Sequence, residues 1–332
     1  MKITITILVL LSQILFSQQN FISSNSSVGS FSRKGFGARG IALGNSASSL
    51  TEGNLTSYYN PAQSVFQKDN SFSTTYTFLS LDRSLNFLNF TRKFEFFDAK
   101  DSANANRKPR TSAGISFGVI NSGVSKIDGR DNQGFKKGDL STSENQFFIA
   151  VSNRFSDKLA MGLSFKFYYY KLYEDVTSTG LGFDFGAIYF INKQLTLAVV
   201  LSDINSKYKW DTSPLFGTEG TISEHKFPLT KKVSLTYNFD DPDFILTGEY
   251  EFDNMGNRLF RIGGEYLIFD SFTLRGGIDN INTATTDAPI RPSFGFGYLS
   301  DLQFARFAFD YAFMLEPYSP SPQHVIGINI IF

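Results

Sequence analysis

The chain has 332 residues, and its 31 Lys and Arg balance its 31 Asp and Glu, so the formal net charge is zero. This balance excludes the strong positive field typical of nucleic-acid-binding proteins. The lack of cysteine excludes disulfides, thiol nucleophiles and cysteine-bound zinc, and two histidines leave little for a histidine-rich metal site.

The first 17 residues have the three parts of an export signal. Lys2 supplies the positive start, residues 3–16 are mostly apolar, and Ser17 is a small residue suited to cleavage. We therefore predict a cleaved signal peptide over residues 1–17. A retained anchor is the alternative, but the apolar run is short and interrupted for a spanning helix, which needs roughly 20 apolar residues.

Residues 18–69 are rich in small side chains and contain two short motifs. Gly35, Gly37 and Gly40 formally match a dinucleotide fingerprint. We reject that interpretation because no strand precedes the motif, no βαβ unit follows it and the chain is exported. Asn60-Pro61 is a turn initiator, and Arg39 is a candidate partner for a carboxylate.

From about residue 70 the chain alternates between apolar and polar residues with a period of two. In residues 159–170, Leu163, Phe165 and Phe167 fall on one face, whereas Ser164 and Lys166 fall on the other. Such alternation predicts strands with one apolar and one polar face. About fourteen segments follow this pattern: 70–81, 84–97, 110–121, 144–155, 159–172, 179–191, 195–204, 230–239, 244–253, 258–268, 272–280, 292–299, 303–313 and 324–332.

The connections between these segments differ in length. Long polar stretches at 98–109, 122–143 and 205–229 predict loops on one rim, and short stretches at 192–194 and 240–243 predict tight turns on the other. Alternating long and short connections are typical of an up-and-down barrel.

The charged residues indicate which face meets lipid. Several strands keep their charges off the aromatic face, and an Arg or Lys facing lipid near the midplane costs roughly 2–4 kcal/mol. We therefore predict an aromatic outer face and a charged lumen. The predicted lumen charges form an ion-pair network or, alternatively, are independently solvated: Lys166, Asp184, Glu249, Glu251, Arg261, Glu265, Arg275, Arg306 and Asp310.

A soluble two-sheet sandwich is the competing fold. Its strands usually have about 5–6 residues, whereas transmembrane strands need about 9–11. Most of the segments have ten or more residues, so length favours the membrane barrel. The last segment alternates as well and ends on the aromatic Phe332, which resembles the C-terminal signal of bacterial outer-membrane barrels.

The N-terminal block resembles the opening of the PorV/PorQ family and of the wider FadL-like outer-membrane barrels. In that family a segment of the form G-x-x-A-R-x-x-A-L-G precedes an N-P-A turn just before the first strand. The sequence matches this order but lacks the acidic pair before the turn, and Gln63 follows it where the family often has Gly. The matching residues include Gly37, Arg39, Gly44, Asn60, Pro61 and Ala62.

The resemblance implies the domain organisation. FadL-like proteins have fourteen strands and a pre-barrel segment that folds into the lumen. We expect an all-β, transmembrane antiparallel up-and-down barrel of about 14 strands over residues 70–332, with a plug-like segment over residues 18–69. A surface arm is the alternative for that segment.

The resemblance also implies a function that involves no catalysed reaction. We expect an accessory component of type IX protein secretion in the bacterial outer membrane, in contact with lipid and with secretion proteins or exported cargo. A FadL-like passive transporter of hydrophobic or small solutes is the alternative, and a structural barrel or adhesin is the second. We expect no enzymatic activity, cofactor or metal site, because His225 and His324 have no nucleophile at a supporting spacing.

Overall fold

A computed structural model describes residues 28–332 except 82, 98–108, 174–175, 285–288, 303–304 and 318. The predicted signal peptide lies outside the described residues. Sixteen strands are formed by the described residues. Their bounds are β1 Ser71–Phe78, β2 Arg83–Phe96, β3 Thr111–Arg130, β4 Lys136–Arg154, β5 Leu159–Tyr173, β6 Val176–Phe190, β7 Leu195–Ile204, β8 Lys207–Asp211, β9 Ile222–Lys226, β10 Thr230–Phe239, β11 Phe244–Asp253, β12 Arg258–Phe269, β13 Phe272–Asn282, β14 Arg291–Asp301, β15 Arg306–Met314 and β16 Gln323–Ile331.

Fourteen of these strands close into an antiparallel barrel. Each strand pairs with its neighbours in sequence, and β1 pairs with β16 to complete the cylinder, with Ser71 opposite Ile331. Strands β8 and β9 form a separate hairpin between β7 and β10, which pair with each other in the barrel. Closure leaves the barrel no free edge strand.

The two faces of the wall differ as the alternation predicts. In β5, Ala160, Ser164 and Lys166 are buried inward, whereas Leu163 and Phe165 are exposed on the outside. The same division holds in β16, where Val325 is buried and Ile328 is exposed. A continuous band of exposed apolar side chains is the surface expected of a wall that faces hydrocarbon.

The barrel has two rims, which we name by the chain ends. The terminal rim is where β1 begins and β16 ends, and the distal rim is opposite. Connections that follow odd-numbered barrel strands lie at the distal rim, including the long excursion at 205–229 that contains the β8–β9 hairpin.

Two of the predicted loops need correction. The 98–109 connection joins β2 to β3, which pair at Phe96 and Thr111. The ends of β2 and β3 that flank this connection therefore lie at the terminal rim, where the short turns at 192–194 and 240–243 also lie. The predicted loop at 122–143 is mostly strand, since β3 and β4 continue to pair from Val124 to Arg130 beyond a register shift.

The N-terminal segment, residues 28–70, precedes β1 and has little regular structure. It contains a 3-10 helix at Ser30–Arg33, a short helix α1 at Ala38–Ala42 and a second 3-10 helix at Pro61–Phe66. A further short helix, α2, spans Ser213–Phe216 in the distal excursion.

None of the helices in the described residues has both the length and the apolar character that crossing a membrane would require.

Candidate functional site

The N-terminal segment contacts the inward face of the wall on two sides. Helix α1 packs against β13–β16, and the 3-10 helix at Pro61–Phe66 packs against β2–β6. Because these groups of strands lie on different sides of the cylinder, the segment crosses the lumen between them. Most of its described residues are buried. That the segment acts as a plug stays a prediction.

Inward-facing glycines let the segment approach the wall closely. A Cβ at Gly162 would collide with the backbone of Pro61 and Ala62, and one at Gly263 would collide with the backbone of Leu43. Gly44, which has a positive φ of 62°, itself lies against the backbone of β13. Residues without a side chain therefore line the wall where it meets the segment.

The residues of the predicted N-terminal motif shape the segment locally. Asn60 caps the 3-10 helix at its start, because its side-chain oxygen accepts a hydrogen bond of 2.9 Å from the backbone N–H of Ala62. Pro61 follows at the first helical position, where its missing N–H costs no hydrogen bond. Gly37 precedes α1 with a φ of 79°.

Arg39 forms the strongest polar link between the segment and the wall. Its guanidinium donates to both carboxylate oxygens of Glu265, at 2.7 and 2.8 Å. Glu265 also accepts from Arg275 at 2.7 Å, and Arg275 donates to Asp310 at 2.5 Å. These four residues form a first buried charge cluster, which we call the anchor cluster.

A second charge cluster lies nearer the distal rim, on β11–β14. Arg261 contacts Glu251 at 2.8 Å, Glu249 at 3.3 Å and Asp279 at 2.7 Å. Asp279 in turn pairs with Arg291 and accepts a hydrogen bond from Asn45 of the N-terminal segment at 2.9 Å. This distal cluster is therefore a second polar attachment point for the segment.

A third cluster lies across the lumen on β5–β7. Lys166 is 2.7 Å from Asp184 and 3.1 Å from Asp203. The hydroxyl of Tyr168 donates to Asp203 at 2.7 Å. Arg33 of the N-terminal segment lies 3.8 Å from the other oxygen of Asp203.

The structure thus distributes eight of the nine predicted lumen charges among three clusters. Arg306 is separate: it pairs with Asp69 at the terminal rim, where both side chains are more than 40% exposed. Strand register accounts for the grouping, since Glu249 lies opposite Arg261 and Glu265 opposite Arg275. That the charges within each cluster are energetically coupled stays a prediction.

The predicted set of lumen charges lacks four charged members of these clusters: Arg33, Asp203, Asp279 and Arg291. Strict alternation places Asp203 on the outer face, but a register shift in the β6–β7 pair and a positive φ of 63° turn it inward. Arg291 lies just before the predicted strand at 292–299, so its face was not assigned. A β-bulge leaves no clear mark in a period-two pattern.

The distal part of the lumen next to β2–β6 is aromatic. Phe87 and Phe148 stack at 6.4 Å between ring centroids, and Phe36 of the N-terminal segment packs on Phe87 at 5.5 Å. The distal excursion adds Tyr208 and Trp210 to the same cluster. Aromatic side chains are therefore concentrated on one side of the lumen, together with the third charge cluster, and the other two charge clusters lie on the opposite side.

An open region lies at the terminal rim. This cavity of about 260 Å³ reaches from Arg39 and the anchor cluster to Lys68 and Arg306. It forms a vestibule beneath the N-terminal segment.

The two histidines take part in none of these clusters. His225 is exposed on β9, and His324 accepts or donates a hydrogen bond of 2.7 Å with Tyr311 on the outer face. In the part of the chain that the structure describes, no group of three His, Asp or Glu side chains could hold a metal ion.

Comparison with solved structures identifies the fold. The chain is similar to the Ralstonia pickettii toluene transporter TbuX, with a TM-score of 0.58 and 14% identity over 90% of this chain and 98% of that one. It is similar to the CymD monoaromatic hydrocarbon channel, with a TM-score of 0.61 and 13% identity over 90% and 98% of the two chains. A Pseudomonas aeruginosa FadL homologue gives a TM-score of 0.55 and 11% identity over 89% and 97%.

No family model matches the sequence, and no curated protein matches it. The solved structures confirm the predicted fold class, an all-β antiparallel up-and-down barrel, because these outer-membrane proteins have the same fold. At identities of 11–14% they establish the fold alone. The narrower PorV/PorQ resemblance stays a prediction.

Proposed function

We propose that the protein is an outer-membrane channel that admits small hydrophobic solutes passively. The observation that carries this proposal is the aromatic side of the lumen, which lies at the distal rim of a barrel with the fold of hydrocarbon channels. In this proposal the distal rim faces outward from the cell and the terminal rim faces the periplasm.

The physical basis is partition of the solute between water and the lumen. Covering about 150 Å² of apolar surface, the area of one aromatic side chain, gains roughly 4 kcal/mol at about 25 cal/mol per Å². This gain is available only if the rings now packed around Phe87 and Phe148 rearrange to admit the solute. No bond is made or broken in such a process.

The N-terminal segment is the plug in this scheme. It crosses the lumen between the aromatic side and the anchor cluster, and polar contacts attach it to the wall on both sides. A solute that enters at the distal rim must pass it to reach the vestibule at the terminal rim.

A deletion strain tests the proposal. We expect slower uptake of a small aromatic hydrocarbon such as toluene, with the profile of secreted proteins unchanged, and restored uptake on complementation. Normal uptake in the deletion strain would overturn the transport proposal.

The type IX accessory role is the second candidate. The N-terminal motif that carries the PorV/PorQ resemblance favours it, since Arg39 and Asn60 both have defined structural partners. Loss of surface or secreted proteins in the deletion strain, with normal solute uptake, would support this role instead. Loss of neither phenotype would leave the structural barrel or adhesin.

A further inference from the structure

A polar cavity of about 290 Å³ opens at the distal rim, away from the aromatic side. It lies between the N-terminal segment, the distal ends of β2 and β10–β14 and the connection that follows β15. Small-molecule sites usually have volumes of about 300–1,000 Å³, so this cavity fits a small ligand. Its lining includes Lys34, Arg83, Glu251, Arg261, Arg291 and Glu316.

Cationic side chains outnumber carboxylates in this lining by five to three. The carboxylates are already engaged. Glu251 pairs with Arg261 at 2.8 Å, and Glu316 accepts from Gln323 at 2.5 Å. Asp253 accepts from the backbone N–H groups of Met255 and Asn257. Arg291 pairs with Asp279 and, at 3.4 Å, with Glu316, so the cations of the lining that form no ion pair with a described residue are Lys34 and Arg83.

Three of the cationic groups have donors without an acidic partner. Lys34 and Arg83 form no ion pair with any residue that the structure describes, and the one hydrogen bond that Arg83 donates, from Nε, goes to the carbonyl of Ser80 at 3.0 Å. The Nε of Arg291 is buried and has no hydrogen-bond partner among the described residues. A buried donor without a partner is unfavourable, because it loses its hydrogen bonds to water without replacement.

Lys34 is partly buried, and two arginines lie near its ammonium group. Burial lowers the pKa of Lys34; Glu316 opposes the shift, whereas Arg291 and Arg83 add to it. An anion placed among these three cations would favour the charged form of Lys34.

We propose that the distal cavity is a binding site for an oxyanion, a carboxylate or a phosphate group, held by Lys34, Arg83 and Arg291. Guanidinium groups bind both kinds of oxyanion through paired N–H donors, and an ammonium adds a point charge. The site is independent of the aromatic cluster and of the transport proposal.

Calorimetric titration of the purified full chain in detergent tests this site. Benzoate and inorganic phosphate are the anionic probes, and benzamide is the neutral probe of the same shape as benzoate. We expect saturable binding of at least one anion and none of benzamide. Binding of benzoate alone identifies an organic carboxylate as the ligand, whereas binding of phosphate alone identifies a phosphate.

Variants tie the binding to the cavity. Lys34→Gln and Arg83→Gln each remove one cation from the lining without removing an ion pair between described residues, so the barrel should fold normally. We expect each to weaken anion binding by about tenfold or more, since charge-assisted hydrogen bonds contribute about 1.5–3 kcal/mol. Arg306→Gln, at the opposite rim, is the matched control and should bind as the unmodified chain does.

Three results would overturn the proposal. The first is no saturable heat with either anion, the second is equal binding of benzamide and benzoate, and the third is unchanged affinity in both cavity variants. Because binding is measured without a membrane, these outcomes are distinct from a failure of solute uptake.

Discussion

Arg39 is the residue on which attachment of the N-terminal segment depends most. Its side chain and that of Glu265 are about 90% covered, so the pair is removed from solvent screening. Breaking a buried pair by removing one partner is strongly destabilising, because the other charge loses its compensation. Arg275 remains paired with Glu265 and compensates part of its charge, which reduces the loss of stability.

We therefore predict that Arg39→Gln loosens the segment rather than unfolding the barrel. The free energy that holds the segment in place should fall by about 2–5 kcal/mol. Hydrogen exchange of the α1 amides measures this, and we expect faster exchange there with unchanged exchange in β1–β16. Arg306→Gln removes an exposed pair and should alter neither; equal protection of α1 in both variants would contradict the assignment.

Coupling within the anchor cluster is a separate prediction. Arg275 and Asp310 are 2.5 Å apart and both are buried. A double-mutant cycle of Arg275→Gln and Asp310→Asn, followed by unfolding in detergent, should give an interaction energy of about 0.5–3 kcal/mol. An interaction energy near zero would support the alternative of independently solvated charges.

At the scale of elements, glycines on the inner face of the wall determine how closely the N-terminal segment can approach the strands. Gly162 on β5 faces the backbone of Pro61, whereas Gly248 on β11 faces outward with ordinary contact distances of 3.7 Å or more. The same substitution at these two positions adds a side chain to the inner face of the wall at Gly162 and to its outer face at Gly248.

We predict that Gly162→Val displaces the 3-10 helix at Pro61–Phe66 and raises ion conductance through the barrel. Gly248→Val should leave conductance unchanged, because the added side chain points away from the lumen. Single-channel recordings in planar bilayers measure both. Equal conductance in the two variants would show that the contact between β5 and the segment does not limit the passage.

The strands themselves were predictable to a large extent from the sequence. The predicted segments 195–204, 230–239 and 244–253 coincide with β7, β10 and β11. Alternation works here because each residue faces either hydrocarbon or the polar lumen. It fails at residues 122–143, where β3 and β4 carry polar residues on both faces beyond the apolar band, so the pattern ends before the ladder does.

The candidate site was predictable only in part. Alternation places Glu249, Arg261 and Glu265 inward, and consecutive pairing brings them together. Asp203 was missed because a register shift reverses its face. The contacts of Arg39 and Asn45 with β12 and β13 join residues more than 200 positions apart, and no local pattern specifies which carboxylate each one meets.

At the scale of the whole molecule, the lumen is divided into two halves. Aromatic rings line the side formed by β2–β6, and most of the paired charges line the side formed by β11–β15. The N-terminal segment lies between them and contacts both. The proposed sites for a hydrophobic solute and for an oxyanion are therefore separate, and both lie at the distal rim.

The placement of the N-terminal segment inside the barrel underlies both proposals. A Cβ at Gly327, on the inner face of β16, would lie 3.5 Å from the Cβ of Ala38 in α1. Disulfides need Cβ atoms about 3.5–4.5 Å apart, and the chain has no cysteine that could interfere. Ile328, the next residue, faces outward and supplies the control position.

The most direct measurement is disulfide formation in two double variants, detected by mass spectrometry after mild oxidation of the folded protein. Ala38→Cys with Gly327→Cys should cross-link within the chain nearly completely. Ala38→Cys with Ile328→Cys should stay reduced, because the barrel wall separates the two thiols. Failure of the first pair to cross-link, or equal cross-linking of both pairs, would contradict the placement of the segment in the lumen.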